Sequence, residues 1–434
     1  MITEQRIREE TEKIFLNKSF SVNGIGLSFK IANGEKTNEK SITFMVEEKK
    51  PLDQLDPSEI IPSSVEIDGE TFVTDVVVEK NIKLMACYAT ESDSEIQRLR
   101  GQPNLLTPFK GGQEIIMFPS DWQPSGGGYS FFLGTLGFFA VDNIDSRLVG
   151  VTNAHVVCSK KVIASDRASE TAADTYNTIE SANWIVDGTP YQPGALARNG
   201  SAISTTPRPV NNIKRYTPFS LTGPNYTDIA LLIMDPSFID NTSYRIHHPT
   251  TEVDYTTHMP FASTAEIDSL LTSNPYLYSV GRTTGPKGWG ASTSCKLVVT
   301  GVGVNVNVDD PEIAPSTIPF NDVVAFQYED GSSFPINSGD SGSVVVADFS
   351  GVRKIIGVAF AGGTTTGYMC RIDRVASEMS IREWDSGYVL DESVPLTPRT
   401  QVFPITSPNA ALKTYVDGTD QFFQAGTTDS SSIP

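Results

Sequence analysis

The run Asn337-Ser338-Gly339-Asp340-Ser341-Gly342-Ser343 places a hydroxyl between glycines, just ahead of the apolar Val344-Val345-Val346. A serine hydroxyl is a weak nucleophile and needs a base beside it to take its proton. Flanking glycines let the backbone turn tightly. They also let amide N–H groups approach a reacting carbonyl with no side chain in the way. The N–H groups of Gly339 and Ser341 would then form an oxyanion hole. Gly, Asp and Ser are equally the commonest turn residues, so this run alone also fits a plain hairpin turn. Its weight depends on what stands upstream.

The chain has four histidines, His155, His247, His248 and His258. His155 follows the β-branched, apolar run Leu148-Val149-Gly150-Val151-Thr152, in the context Asn153-Ala154-His155-Val156-Val157. The small Ala154 leaves room beside the ring. A lone histidine in an apolar segment is more often a satisfied core residue than a base. The other three lie in polar, loop-like sequence. No cysteine or carboxylate stands near them at metal-ligand spacing, so no metal site is expected. Between base and nucleophile, Asp228 opens the apolar run Ile229-Ala230-Leu231-Leu232-Ile233. A carboxylate there can accept from His Nδ1, fix the tautomer and stabilise the imidazolium. An aspartate in that position can also merely start a strand. Asp187, before Gly188, and Asp235, before Pro236, are the other candidates, and they read as a turn and a strand end.

The order His155, Asp228, Ser341, with Thr152-x-Ala154-His155 after a strand and Gly339-Asp340-Ser341-Gly342 before one, resembles the chymotrypsin-like serine proteases. The separations exceed those of compact members, so insertions are required; one candidate is the polar stretch from 159 to about 225. A narrower resemblance covers most of the chain. It is similar to the trypsin-like peptidases typified by the plant narrow-leaf protein and its bacterial relatives. The residues that carry this are Gly24-Ile25-Gly26-Leu27, Lys36-Thr37-Asn38, Val46-Glu47-Glu48-Lys49, Ile60-Ile61-Pro62 and Thr74-Asp75-Val76 in the N-terminal part. Further on they are Pro108-Phe109-Lys110-Gly111-Gly112, Gly134-Thr135-Leu136-Gly137, Lys214-Arg215-Tyr216 with Asp228, and Val280-Gly281-Arg282-Thr283-Thr284-Gly285. Asn153-Ala154 departs from the bulkier residue that relatives often carry before the histidine, which alters ring packing rather than chemistry.

The resemblance implies a mainly β fold: a two-barrel chymotrypsin-like protease domain with a small N-terminal α+β domain. It implies a serine endopeptidase acting on a protein or peptide substrate through Ser341, His155 and Asp228, with no cofactor, and it suggests a homo-oligomer. The alternative is a silent or gated protease-fold scaffold that binds protein partners. An esterase of the α/β-hydrolase type is disfavoured, because there the nucleophile comes first in the chain and sits in Gly-x-Ser-x-Gly; here the serine comes last.

Composition sets outer bounds. The 434 residues allow two or three domains, and 39% hydrophobic with 20% charged residues suits a soluble globular chain. The net charge of −19 argues against nucleic acid and anionic membrane surfaces as partners. The charged start Met1-Ile2-Thr3-Glu4-Gln5-Arg6 has no apolar core after it, so no secretory signal is expected. No apolar run is long enough for a membrane-spanning helix. Cys87, Cys158, Cys295 and Cys370 read as free thiols, which points to the cytoplasm.

The elements follow from the patterning. An N-terminal accessory domain (1–108) should hold a helix over 3–18, strands near 24–31, 41–47 and 71–79, and a helix starting at Asp56-Pro57-Ser58-Glu59. It could serve as a binding module, an oligomerisation element or a retained pro-region. Gly126-Gly127-Gly128 lacks the Gly-Lys-Ser/Thr of a phosphate loop. A first barrel (about 109–235) should contain strands at 131–141 and 147–152 and close after 231–234. A polar connection (236–275) leads to a second barrel (about 276–372), with strand runs at 296–299, 323–327, 344–346 and 355–360. A helix over 372–381, capped by Asp373, ends the protease domain (109–394). A Pro/Ser/Thr-rich tail (395–434) follows, disordered at its end. The specificity pocket should be walled by Pro335, Ile336 and the segment Ala359-Phe360-Ala361-Gly362. No acid stands near Pro335, so a small or apolar P1 residue is expected. No Arg/Lys site followed by Ile-Val precedes the first barrel. Asp340 is therefore satisfied internally, or processing differs from that of trypsin.

Overall fold

The structure is a computed structural model. It describes residues 3–17, 20–32, 35–57, 59–85, 111–117, 130–157, 213–221, 223–233, 259–281, 283–288, 296–310, 317–331 and 335–385, with short strands at 87–90, 190–192, 208–209, 401–402, 412–416 and 421–425. The fold is mainly β.

The apolar runs of the C-terminal half pair as antiparallel strands in the order Leu277–Gly281, Val344–Phe349, Val352–Gly362, Gly367–Arg371, Ile318–Tyr328 and Leu297–Val308. Leu277 also pairs with Leu297, so the last strand returns to the first. Six strands thus close into a barrel with no free edge among them. Leu277, Val299, Phe326, Val346, Ile356 and Val358 are fully buried. The strands at 297–308 and 318–328 are 12 and 11 residues long, far longer than the expected runs. Bulges at Val299/Gly301 and Gly301/Val304 bend them without ending the pairing. Interleaved glycines and asparagines hid that continuity from the sequence pattern.

Two helix expectations fail. The helix over 372–381 is shorter, Ile372–Glu378, and Arg371 rather than Asp373 is its N-cap residue. Asp373 lies in the first turn and accepts from Arg371 Nε at 3.0 Å and Nη2 at 2.7 Å. The chain then adds the strand Ile381–Glu383 to the other half of the molecule. Among the described residues no helix starts at Asp56 either. Glu59 N–H does reach Asp56 O at 2.8 Å and Glu59 Oε2 accepts from Asp56 N–H, but Pro62 has no N–H to continue the ladder and disfavours helical backbone before it. The polar connection, in turn, contains the short helices Thr264–Asp268 and Leu270–Ser273, the first opened by a Ser263/Glu266 capping box.

The N-terminal segment begins with the helix Glu4–Leu16, capped by Thr3. Strands Gly24–Ala32, Glu35–Val46, Glu70–Val78 and Ser64–Ile67 follow in one sheet. That sheet is continuous with the closed barrel, because Gly24, Leu27 and Ser28 pair with Val306, Val302 and Gly301. The buried Arg8 ties the helix to the same barrel, donating to Asp268 at 2.6 Å and to Asp322 at 3.3 Å.

Residues 111–233, joined by Cys87–Thr90 and Ile381–Glu383, form two five-stranded sheets among the described residues. One runs Ile213–Tyr216, Ala230–Ile233, Leu148–Thr152, Phe138–Asp142, Ile381–Glu383; the other runs Arg208–Pro209, Pro190–Gln192, Gln113–Met117, Ser130–Leu136, Cys87–Thr90. The strand expected over 131–141 is split at Gly137, where a Cβ would stand 2.4 Å from Gly342 O. Arg215 braces the first sheet with a two-pronged contact to Asp142 (2.6 and 2.9 Å). Burial alone would raise the Asp142 pKa, but Arg215 and Lys214 outweigh it and hold the carboxyl below its usual range. In the tail, Leu412–Val416 pairs with Gln401–Val402 and Gln421–Ala425. The end expected to be disordered, 427–434, lies outside the described residues, as do Asp187, Asp235, His247, His248, His258 and Gly126 to Gly128.

Candidate active site

Three elements bring three side chains to one point. Strand Leu148–Thr152 delivers His155 on the one-turn helix Ala154–Val157. Asp228 stands two residues before strand Ala230–Ile233, which pairs with the His155 strand. Ser341 precedes strand Val344–Phe349 of the closed barrel. The His155 Nε2 lies 2.8 Å from Ser341 Oγ. On its other side, Nδ1 is hydrogen-bonded to Asp228 Oδ2, and the His155 backbone N–H donates to Asp228 Oδ1 at 3.1 Å. Asn153 Nδ2 donates to the Asp228 carbonyl at 2.6 Å. A carboxylate bound to Nδ1 leaves Nε2 free to accept from the serine. All three residues are fully buried.

The nucleophile loop is pinned from both halves. Thr135 N–H donates to Ser341 O at 2.7 Å, and Thr135 Oγ1 donates to Gly339 O at 3.0 Å. Gly339 and Gly342 have φ of +97° and +93°, a region that favours glycine. A Cβ on Gly342 would meet Thr135 O at 2.0 Å. Asp340 is satisfied internally. It accepts from the N–H groups of Thr283 (2.8 Å), Thr284 (3.0 Å) and Asn337 (3.0 Å), from Thr284 Oγ1 (2.6 Å) and from Lys287 Nζ (3.2 Å). The Lys287 ammonium also donates to Pro335 O. Burial pushes the Lys287 pKa below its ordinary value, against the opposing pull of Asp340. Lys287 had no signal in the sequence beyond being a lone cation before Gly288.

Two N–H groups of this loop converge on a carbonyl of the chain itself. Gly339 N–H and Ser341 N–H both donate to the Met85 carbonyl, at 2.6 and 3.4 Å. Met85 N–H donates to Phe360 O at 3.0 Å, and Leu84 and Lys83 pair antiparallel with Ala361 and Gly362. The Met85 side chain abuts the wall expected for the pocket: a Cβ on Gly362 would meet Met85 Cε at 2.8 Å and Ile336 Cγ1 at 3.1 Å. The other expected pocket residues sit differently. Ala359 is held to the loop by Gly342 N–H at 3.0 Å, Pro335 contributes its carbonyl to Lys287, and the Phe360 ring packs inward on Phe320 at 4.6 Å.

Among the described residues no group of three or more His, Cys, Asp or Glu could hold a metal ion. Cys370 is free and buried; burial, and then the nearby Asp228, push its thiol well above its ordinary value. Cys158 and Cys295 lie outside the described residues, and of Cys87 only the backbone is described.

No protein-family model and no curated protein matches the chain. Among solved structures it is similar to the Nocardiopsis protease NAPase (12% identity, TM-score 0.34, covering 64% of this chain and 98% of that one). It is also similar to a glutamic acid specific serine protease (14%, 0.35, 64% and 100%) and to Thermobifida fusca protease A (12%, 0.32, 63% and 97%).

Proposed function

We propose that the chain is a serine endopeptidase of the chymotrypsin-like type, akin to the narrow-leaf-type peptidases. One observation carries this: a hydrogen-bonded Asp228–His155–Ser341 line ends beside two N–H groups that converge on one carbonyl oxygen. Ser341 Oγ attacks the substrate carbonyl carbon while His155 Nε2 takes its proton. Gly339 and Ser341 N–H hold the oxyanion. His155 then protonates the leaving amine, and a water activated by the same ring hydrolyses the acyl-enzyme. Asp228 keeps the ring oriented and stabilises its cation. The chemistry needs no metal or organic cofactor. Ile336 and Gly362 favour an apolar P1 side chain.

A gated scaffold that binds protein partners is the second reading, favoured by the burial of all three residues. A fluorophosphonate probe separates the two. The intact chain and Met85→Asp should label, while Ser341→Ala and His155→Ala should not. Well-folded Met85→Asp protein that labels no better than Ser341→Ala would remove the peptidase reading.

A further inference from the structure

Given that peptidase reading, we infer that the chain cleaves itself, in cis, at the bond between Met85 and Ala86. The segment Lys83-Leu84-Met85 makes the contacts a substrate makes on the acyl side of the scissile bond. Its backbone adds an antiparallel strand to residues 361–362. Met85 N–H is bound by Phe360 O, and Met85 O is bound by both N–H donors of the oxyanion hole. Its side chain fills the space between Ile336 and Gly362. Donors aimed at one carbonyl, with a serine and its base beside it, are the arrangement that acyl transfer requires.

Both flanks of the bond are strapped down. Upstream, the buried Glu79 accepts from Thr364 N–H at 2.9 Å and Thr366 Oγ1 at 2.7 Å. Downstream, strand Cys87–Thr90 pairs with Ser130–Leu136 of the other half. The described residues on either side of the bond are thus anchored, upstream through Glu79 and downstream through the strand Cys87–Thr90.

The step balances as ordinary hydrolysis. Ser341 Oγ bonds to the Met85 carbonyl carbon, the C–N bond to Ala86 breaks, and His155 passes the serine proton to the Ala86 amine. Water then releases the Met85 carboxylate and restores Ser341. Two chains result, 1–85 and 86–434. They stay associated, because Gly24 to Ser28 remain paired with the barrel strand 297–308.

The test is intact mass and N-terminal sequencing of the purified full chain over time and across a dilution series, beside Ser341→Ala and Met85→Asp. Wild type should yield two fragments with a new N-terminus at Ala86, at a rate independent of concentration. The fragments should co-elute under native conditions. Ser341→Ala should stay one chain. Met85→Asp puts a carboxylate against an apolar wall, so it should lose cleavage at this bond and label faster with a fluorophosphonate than wild type. Wild type that stays intact while Met85→Asp labels at Ser341 would make the segment an inhibitor rather than a substrate, and would leave the peptidase reading standing. No cleavage and no labelling in either chain would remove both. Cleavage at another bond, or in Ser341→Ala, would overturn the inference.

Discussion

Lys287→Met tests how the nucleophile loop is held without a freed N-terminus. Lys287 and Asp340 are 2% and 0% exposed. Taking one partner from a buried ion pair typically costs about 3–5 kcal/mol, because the other charge is left buried and uncompensated. Asp340 keeps three backbone N–H donors and the Thr284 hydroxyl, so the loss should lie near the lower end, about 3 kcal/mol. Methionine matches the length of the lysine stem, which limits any cavity contribution. The loop Asn337 to Gly342 carries both oxyanion donors, so part of the loss falls on catalysis. At 1.4 kcal/mol per factor of ten, 3 kcal/mol corresponds to about a hundredfold. Urea unfolding gives the stability change, and the rate of fluorophosphonate labelling in the Met85→Asp background gives the local one. The double variant Lys287→Met/Asp340→Asn should recover part of the loss, since the uncompensated charge is gone. A single variant within about 0.5 kcal/mol of its parent, labelling at the parental rate, would refute the role given to Lys287.

Gly342→Ala should abolish labelling and lower the melting temperature. The backbone strain alone costs about 1–3 kcal/mol, and the new Cβ would stand 2.0 Å from Thr135 O; full labelling with unchanged melting would contradict the loop geometry. Glu79 gives a pH dependence. Burial is the largest influence on its carboxyl and raises its pKa above 4.5, against hydrogen bonds from Thr366 and Thr364. The folded state then holds the proton more tightly than the unfolded chain does. That contribution is fully present below the unfolded pKa and is lost as pH rises through the raised folded one. Urea midpoints taken upward from about pH 4 should therefore fall less steeply in Glu79→Gln than in wild type, and superimposable curves would count against it.

Much of the site was legible because each member stood at a strand boundary with a distinctive neighbour. Ala154 before His155, an apolar run after Asp228 and glycines around Ser341 are local signals, and the structure brings these residues within hydrogen-bond reach. The strand content of the second barrel was legible in kind but not in length, since bulges break the alternation that the eye follows. The absent helix after Asp56 shows the opposite failure: a good start signal was overruled by a proline six residues on. Lys287 and Met85 were illegible for a different reason. Each acts through contacts with residues far along the chain, Asp340 in one case and residues 336–362 in the other. Neither carries a pattern that separates it from an ordinary lysine or methionine.

Those two residues also divide the control of the site. The oxyanion donors already converge on a carbonyl, with Asp340 anchored by Lys287, so this loop needs no cut to take shape. What limits access is occupancy. The two shorter backbone hydrogen bonds of Met85 contribute about 0.5–1.5 kcal/mol each. Its partly buried side chain adds something below the roughly 1.5–3 kcal/mol of a fully buried one. Met85 alone is therefore held by about 3 kcal/mol, and the strand pairing of Lys83 and Leu84 and the Glu79 anchor add to that. On the proposed reading, the geometry that hinders other peptides makes residues 83–85 the segment already placed at this serine.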